Sequence, residues 1–459
     1  AVFGAVGGKP GIVDPKGRLI YMHNGGMFLV TKPIDGADAT PGNGMTIGFA
    51  MTPEQADAFG RELDAVRDRV LANLGQVDVD YIRRVIRAQR LMEVAGRGLL
   101  VAGILPPAWL AGTALLALSK ILDNMEIGHN VMHGQYDWMR EPGLNSEVFE
   151  WDTVCPADQW RHSHNYMHHT YTNILGKDRD IGYGILRIDD AQKWNPYYLG
   201  NPVWAFALMV LFEWGVMMHD LEIENVIQGK RKWHDVKPLL KGWWNKAGKQ
   251  VLKDYVIFPV LTGPLFVTTL AGNVTANLVR NVWTYSIIFC GHFPTGVQSF
   301  TEDETADETR GQWYVRQMLG SANIEGSALM DFMTGNLSYQ IEHHVFPDLP
   351  SNRYPEIAVK MRALCEKFDL PYTTGSLFKQ YLLALRTIHK LALPDKWLTA
   401  TSDNAPETSS ELRFRDSGFR DAAMAMVEDL RTDPITGKRL GLLTALKSQA
   451  RSRMPKRRK

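Results

Sequence analysis

Seven of the thirteen histidines fall in three short clusters: His129-x-x-x-His133, His164-x-x-x-His168-His169 and Gln340-x-x-His343-His344. An eighth, His292, stands alone directly after an apolar run. Imidazole is the commonest neutral side-chain metal ligand, and eight of them exceed what one tetrahedral site can use. A two-metal centre follows, and it restricts the fold. Four separated segments must meet at one place, and all four must lie on the same face of any membrane the chain crosses.

Four apolar stretches make that restriction useful: Leu99–Leu122, Val203–Met218, Val256–Gly272 and Val274–Cys290. A helical span needs roughly 20 apolar residues to cross ~30 Å of hydrocarbon, so these are short, and several carry Pro or a charge. Three of them lie between the second and third clusters, where an even number of crossings is required. Val203–Met218 is the one expected not to cross, because Glu213 interrupts it and His219-Asp-Leu-Glu222 follows at once. The Lys-rich segment after it, with Trp233, Trp243 and Trp244, reads as a cytoplasmic interface. Val256–Gly272 and Val274–Cys290 then form a tight hairpin that returns His292 to the side of the clusters. Pro106-Pro107 leaves the first stretch open to two readings, one long span or a second hairpin. The expected fold is an all-α integral membrane protein of about four spans, with a cytoplasmic helical cap over the histidines.

The expected divisions are an irregular Gly/Pro-rich segment over 1–50, interfacial helices over 51–97, the membrane core over 98–355, and cytoplasmic helices with a basic tail over 356–459. Leu19-Ile-Tyr-Met22 is a strand-like run inside the first of these. Met45 directly precedes the first strong helix signal, and residues 1–44 are expected to be dispensable. Thr52-Pro53-Glu54-Gln55 combines an N-cap, a first-turn proline and a capping-box glutamine, which predicts a helix to about Leu74. The next helix, about Asp78–Gly96, sets an apolar stripe against Arg83, Arg84, Arg87 and Arg90. That pattern suits a membrane interface and equally an ordinary surface helix. Tyr354–Phe368 and Ser376–Leu391 read as amphipathic helices, and 401–420 as a polar loop.

Charge is nearly balanced, with 51 basic against 50 acidic residues, which gives no nucleic-acid signal. Three scattered cysteines without a CxxC exclude a disulfide framework, a zinc ribbon and an iron–sulfur cluster. On a helix, histidines at i and i+4 present both rings on one face. Imidazole accepts Zn, Cu, Fe and Ni, so residue type does not name the metal. Eight neutral ligands nevertheless point to two redox-capable ions with open positions. Carboxylates available to orient the rings are Glu126, Asp137, Asp178, Asp180, Glu222 and Glu342.

The runs Glu126-Ile-Gly-His-Asn-Val-Met-His-Gly134, Tyr171-Thr-Asn-Ile-Leu175 and Gly291-His-Phe-Pro294 accompany the clusters. So does Gly335-Asn-Leu-Ser-Tyr-Gln-Ile-Glu-His-His-Val-Phe-Pro-Asp-Leu-Pro350. Together they resemble the histidine boxes of membrane fatty-acid desaturases, and the likeness to the bacterial acyl-CoA delta-9 (stearoyl-CoA type) group extends over roughly 52–445. The resemblance implies a di-iron centre held by His129, His133, His164, His168, His169, His292, His343 and His344. It implies O2 as co-substrate and a cis double bond placed in a saturated acyl-CoA. Gln340 stands where many relatives have His; it could be an oxygen ligand, the partner of a metal-bound water, or a support behind the ligands.

No dinucleotide, haem or iron–sulfur motif is visible, so electrons must come from a separate donor, either an NAD(P)H oxidoreductase or a ferredoxin type. The basic C-terminal tail is a candidate docking surface for it. Trp160-Arg161 and the basic residues of 230–253 could attract acyl-CoA phosphates. His162 and His219 are candidates for supporting or ligand roles, while His23, His234 and His389 read as ordinary surface or half-buried residues. The nearest rival function is a membrane fatty-acid or alkane hydroxylase. A haem-binding or metal-transporting protein would place its histidines mid-span or along a pore, whereas here they stand at segment ends. An active site facing the cytoplasm completes the expectation, with the protein seated in the cytoplasmic membrane among its lipids.

Overall fold

The computed structural model describes residues 51–399 apart from 220, 223–224, 227–228, 230 and 295. Outside that range it describes only the backbone of a few short strands. Strands β1 (Val2–Val6), β2 (Lys9–Val13), β3 (Leu19–His23) and β4 (Gly26–Val30) form an antiparallel meander, so the strand-like run at Leu19 is one of four. A small separate unit comprises 395–399 and 407–459, of which the strand pair Leu398–Thr399 and Glu407–Thr408 is described. Met45, the basic tail and, apart from Glu407–Thr408, the expected polar loop of 401–420 lie outside the described residues.

From residue 51 to residue 397 the regular structure among the described residues is helical, apart from one parallel strand pair, Asn323–Glu325 with Thr374–Ser376. Helix α1 (Pro53–Ala72) starts where its capping box predicts: Thr52 Oγ1 accepts from Gln55 N and Gln55 Oε1 accepts from Thr52 N. Its apolar face, with Phe59 and Leu63 fully buried, packs on the Arg310–Leu319 and Tyr354–Phe368 helices in a cluster with Tyr314, Ile357 and Met361. The α1 contact is so close that a Cβ on Gly311 would stand 2.2 Å from the Ala56 carbonyl oxygen.

Helix α2 (Gln76–Leu100) runs four residues beyond its expected end and pairs with α3 (Pro106–Leu122). Gly96 against Gly112 and Gln89 Nε2 donating to Ser119 Oγ at 3.0 Å show the pair to be antiparallel. Pro106-Pro107 therefore begins the second limb of a hairpin, which settles the reading that the sequence left open. The second hairpin turns elsewhere than expected. The Trp233–Val251 helix continues through a π-helical turn (Leu252–Ile257) to Leu261, the chain reverses at Gly263 (φ +55°), and one helix runs from Phe266 to His292. Gly263-Pro264 breaks the helix, whereas Asn273, between the two stretches expected as limbs, lies inside the returning limb and donates to the Asp254 carbonyl. The two hairpin tips meet, with Trp109 Nε1 donating to the Thr268 carbonyl at 2.9 Å.

The Val203–Met218 stretch is split at Leu211 into the segments Pro196–Val210 and Phe212–His219, bent by 101°. This bend turns Glu213 inward onto Arg280 at 2.6 Å, with both side chains buried. Lys120, Asp254, Asp152 and Arg97 form a further buried ion network, with Lys120 Nζ 2.7 Å from Asp254 and Arg97 3.1 Å from it. Among the described residues no single helix is long and apolar enough to cross a membrane.

Candidate metal centre

Each histidine cluster sits on a helical element with an irregular or short geometry. His129 ends a π-helical segment (Asp123–His129) that prolongs α3, and His133 follows one turn later. His164 and His168 lie in a second π-helix (Arg161–His168), and His169 opens the next turn. The wider π-turn is rare and concentrates at functional sites. Gln340, His343 and His344 share the short helix Gln340–Val345, and His292 is the last residue of the Phe266–His292 helix.

All eight predicted histidines converge, and they do so as two groups. Ligand atoms of His129, His133, His164 and His343 lie within 4.8 Å of one another, and so do those of His168, His292 and His344. His169 stands between the groups, its ring 4.6 Å from that of His133 and stacked 4.5 Å from that of His344. Gln340 Nε2 lies 2.9 Å from His292 Nε2, and its Oε1 is buried without a protein partner.

The other ring nitrogens explain how the imidazoles are aimed. Nδ1 of His129 faces Asn130 Oδ1 (3.0 Å), and that of His164 faces Asp180 (3.2 Å). Both oxygens of Asp178 hold His168 Nδ1 at 3.0 Å. Tyr354 Oη meets His343 Nδ1 (3.2 Å), and Gln317 Oε1 meets that of His344 (3.1 Å). Nε2 of His133, His164, His168, His169 and His343 is buried with no protein hydrogen-bond partner. Outer groups that fix one nitrogen and leave the other to point inward are the usual support of metal-binding histidines. The donor set therefore fits two metal ions.

Electrostatics agrees. Burial, then the neighbouring imidazoles, hold His133, His169, His343 and His344 well below the ordinary histidine range, the neutral form that metals require. Burial does the same to His292. His168 is the exception: burial opposes its charge, but Asp178 and Asp180 outweigh it and lift the imidazole to about 9.

Of the six carboxylates considered, Asp178 and Asp180 face the ligands. Glu126 accepts instead from Tyr81 Oη (2.7 Å) and Ser351 Oγ (2.8 Å), and Glu342 from Asn323 and Tyr372; burial raises both to about 7. Asp137 binds Ser146, and Glu222 pairs with Arg179 at 2.6 Å. Asn130, Tyr354 and Gln317 were not anticipated as ring partners. Asn130 and Tyr354 stand beside boxes one and three, but nothing in the sequence marks Gln317. His162 is exposed, its ring 6.2 Å from that of Tyr166. His219 is buried, with Nε2 donating to the Arg179 carbonyl at 2.7 Å and lying 3.5 Å from Asp180. His234 and His389 are exposed, and the His23 side chain lies outside the described residues. Trp160, named with Arg161 as a candidate for attracting acyl-CoA phosphates, is buried with its ring stacked 4.5 Å from His164.

A helical protein with a buried, paired polyhistidine centre at the ends of two hairpins defines the class. The fatty acid desaturase family model matches residues 105–376, and the chain belongs to that family. It is 48% identical over 411 residues to a NADPH-dependent stearoyl-CoA 9-desaturase of Mycobacterium tuberculosis, covering 89% of this chain and 94% of the relative. An sn-1 linoleoyl-lipid 6-desaturase of Synechocystis is 26% identical over 71% of this chain and 92% of its own. The mouse fatty acid desaturase 2-like protein is 26% identical over 53% and 47%.

Proposed function

We propose that this chain is an O2-dependent acyl-CoA desaturase that places a cis double bond at the 9-position of a stearoyl- or palmitoyl-type chain. The observation that carries the reading is the convergence of eight histidines, seven of them in two ligand groups with His169 between, and five of the rings aimed by a fixed outer partner. The 48% identity to a stearoyl-CoA 9-desaturase supports the substrate and the position. His129, His133, His164 and His343 would hold one iron and His168, His292 and His344 the other, with His169 between and Gln340 beside His292. When bound, such a pair supplies the oxidising power of O2. The acyl chain loses two hydrogens from neighbouring methylenes, and O2 with two electrons and two protons leaves as two waters.

The protein's own part is positioning and exclusion of water. Asp178 and Asp180 hold His168 and His164, Tyr354 holds His343, and Trp160 closes one side of the first group. Electrons come from a separate donor. The NADPH dependence in the relative's name favours a pyridine-nucleotide-fed reductase over a ferredoxin alone.

We infer a seat in the cytoplasmic membrane with the metal centre on the cytoplasmic side. The support is a belt of exposed apolar side chains on both hairpins: Val101, Ile104, Leu105 and Leu110 on one, Val260, Leu261 and Val267 on the other. Apolar side chains gathered on an exposed face mark a membrane or partner surface, while Arg97 and Lys120 turn inward to Asp254. Expression in a desaturase-deficient host followed by fatty-acid mass spectrometry tests the activity. A product two mass units lighter is expected; a gain of sixteen would replace desaturation with hydroxylation. Ala at His168 or His343 should abolish the product, and its survival would refute the centre. Retention in the membrane fraction after carbonate washing tests the location.

A further inference from the structure

A pocket opens beside the first ligand group, lined there by His129, His164 and Asp180. From the histidines it follows the inward face of the Phe266–His292 helix past Ile288 and Thr284 to Arg280. Arg280 is 1% exposed and fixed from every side: Nε donates to Asn281 Oδ1 (3.0 Å), Nη1 to the Asp152 carbonyl (3.3 Å), and Nη2 to Asn277 Oδ1 (3.2 Å) and Glu213 (2.6 Å). Glu213 also lines the cavity, and its Oε2 is buried without a protein partner.

We propose that the Arg280–Glu213 pair is the floor of the acyl cavity and sets the longest chain the enzyme converts. The inference rests on the desaturase reading. Its geometry is simple. At ~1.5 Å per helical residue, the eight residues from Ile288 to Arg280 span about 12 Å. An extended chain advances about 1.25 Å per carbon, from C–C bonds of ~1.5 Å, so the cavity takes roughly nine or ten carbons beyond the metal-side end. A methyl group cannot pass this floor without opening a buried ion pair that three further contacts hold in place. Charge here serves as a wall that apolar chain cannot soften, where a wall of leucines would yield.

The test compares chain-length profiles. Full-length enzyme in a desaturase-deficient host, with its electron donor, is fed saturated acids of 14 to 22 carbons (a range set by the ~9–10 carbon depth). Removing both charges and their volume, Glu213→Ala with Arg280→Ala, is expected to raise the ratio of longest to shortest chains converted at least tenfold. Filling the cavity halfway, Ile288→Trp, is expected to shift it at least tenfold the other way. If the double variant does not accumulate, Ile288→Trp decides alone. Length profiles that stay unchanged, or conversion that falls alike at every length in both variants, would overturn the floor. No desaturated product from the wild-type chain would instead overturn the desaturase reading.

Discussion

Replacing Asp178 by Asn separates two effects that the carboxylate exerts on His168. Asp178 meets His168 Nδ1 with both oxygens at 3.0 Å, and is itself pinned by Asn173 N (2.7 Å) and Asp180 N (2.9 Å). With Asp180 it lifts the imidazole from near 6.5 to about 9. In the metal-free chain that ion pair stabilises the fold fully below about pH 6.5 and is lost as pH rises through about 9. Metal binding carries the opposite sign, because an entering ion must displace the proton. At pH 7 that displacement costs about 2–3 kcal/mol, at ~1.4 kcal/mol per pH unit. Wild-type affinity at the His168 group should therefore climb up to tenfold per pH unit between 7 and 9. Asp178→Asn should flatten this slope, while the loss of ring orientation lowers affinity by roughly 10- to 100-fold. The deficit is expected to be largest at pH 9 and smaller at pH 7, where proton competition is relieved as well. Competition with a chromogenic chelator at both pH values, counting ions per chain, reads all three. Parallel pH slopes in wild type and variant would refute the reasoning.

Two further substitutions probe how the frame holds the boxes. Asp78 is fully buried, accepts from Arg353 (2.6 and 2.7 Å) and Asn352 (2.8 Å), and caps α2 through Gly75 N (3.0 Å). Asp78→Ala should cost about 2–3 kcal/mol, less than a fully buried pair because Arg353 stays partly exposed. Burial opposes the Asp78 charge, yet Arg353 and Asn352 hold the carboxyl below its ordinary value. Its contribution is thus present above about pH 4 and fades below, so the gap in melting temperature between wild type and variant should shrink on acidification. Gly311→Ala drives a Cβ into the Ala56 backbone and should destabilise the α1 contact by about 1–3 kcal/mol. Limited proteolysis should then cut α1 first, and an unchanged digest would contradict the packing.

The convergence of the histidines was readable from sequence because i, i+4 spacing survives the local distortion of the helix: His129 with His133 and His164 with His168 stay on one face even through π-turns. The helix starts at Thr52 and Ser376 were readable for the same local reason, a capping side chain. The second hairpin was misplaced because Asn273 separates two apolar stretches and its partner is unseen in the sequence. Asn273 instead satisfies a carbonyl across the hairpin, while Gly263-Pro264 makes the reversal. Glu213, read as an interruption, is paired with Arg280, 67 residues away in sequence. Gln317, Tyr354 and Asp178 all hold imidazoles, yet only the carboxylate could be named in advance, since a neutral partner carries no charge to suggest it.

The two ligand groups differ in how deeply they are sealed. His133 and His164 are half-buried and His164 borders the cavity with His129, whereas His168, His292 and His344 are at most 4% exposed. Two identical ions in such a pair would keep different clocks. The first would leave at a rate that rises with the concentration of a chelator able to enter the cavity. The second would leave only as often as the Gln340–Val345 helix lifts from the π-helix opposite it, a rate set by the protein and indifferent to the chelator. Demetallation should therefore proceed in two phases and pause at a half-loaded enzyme.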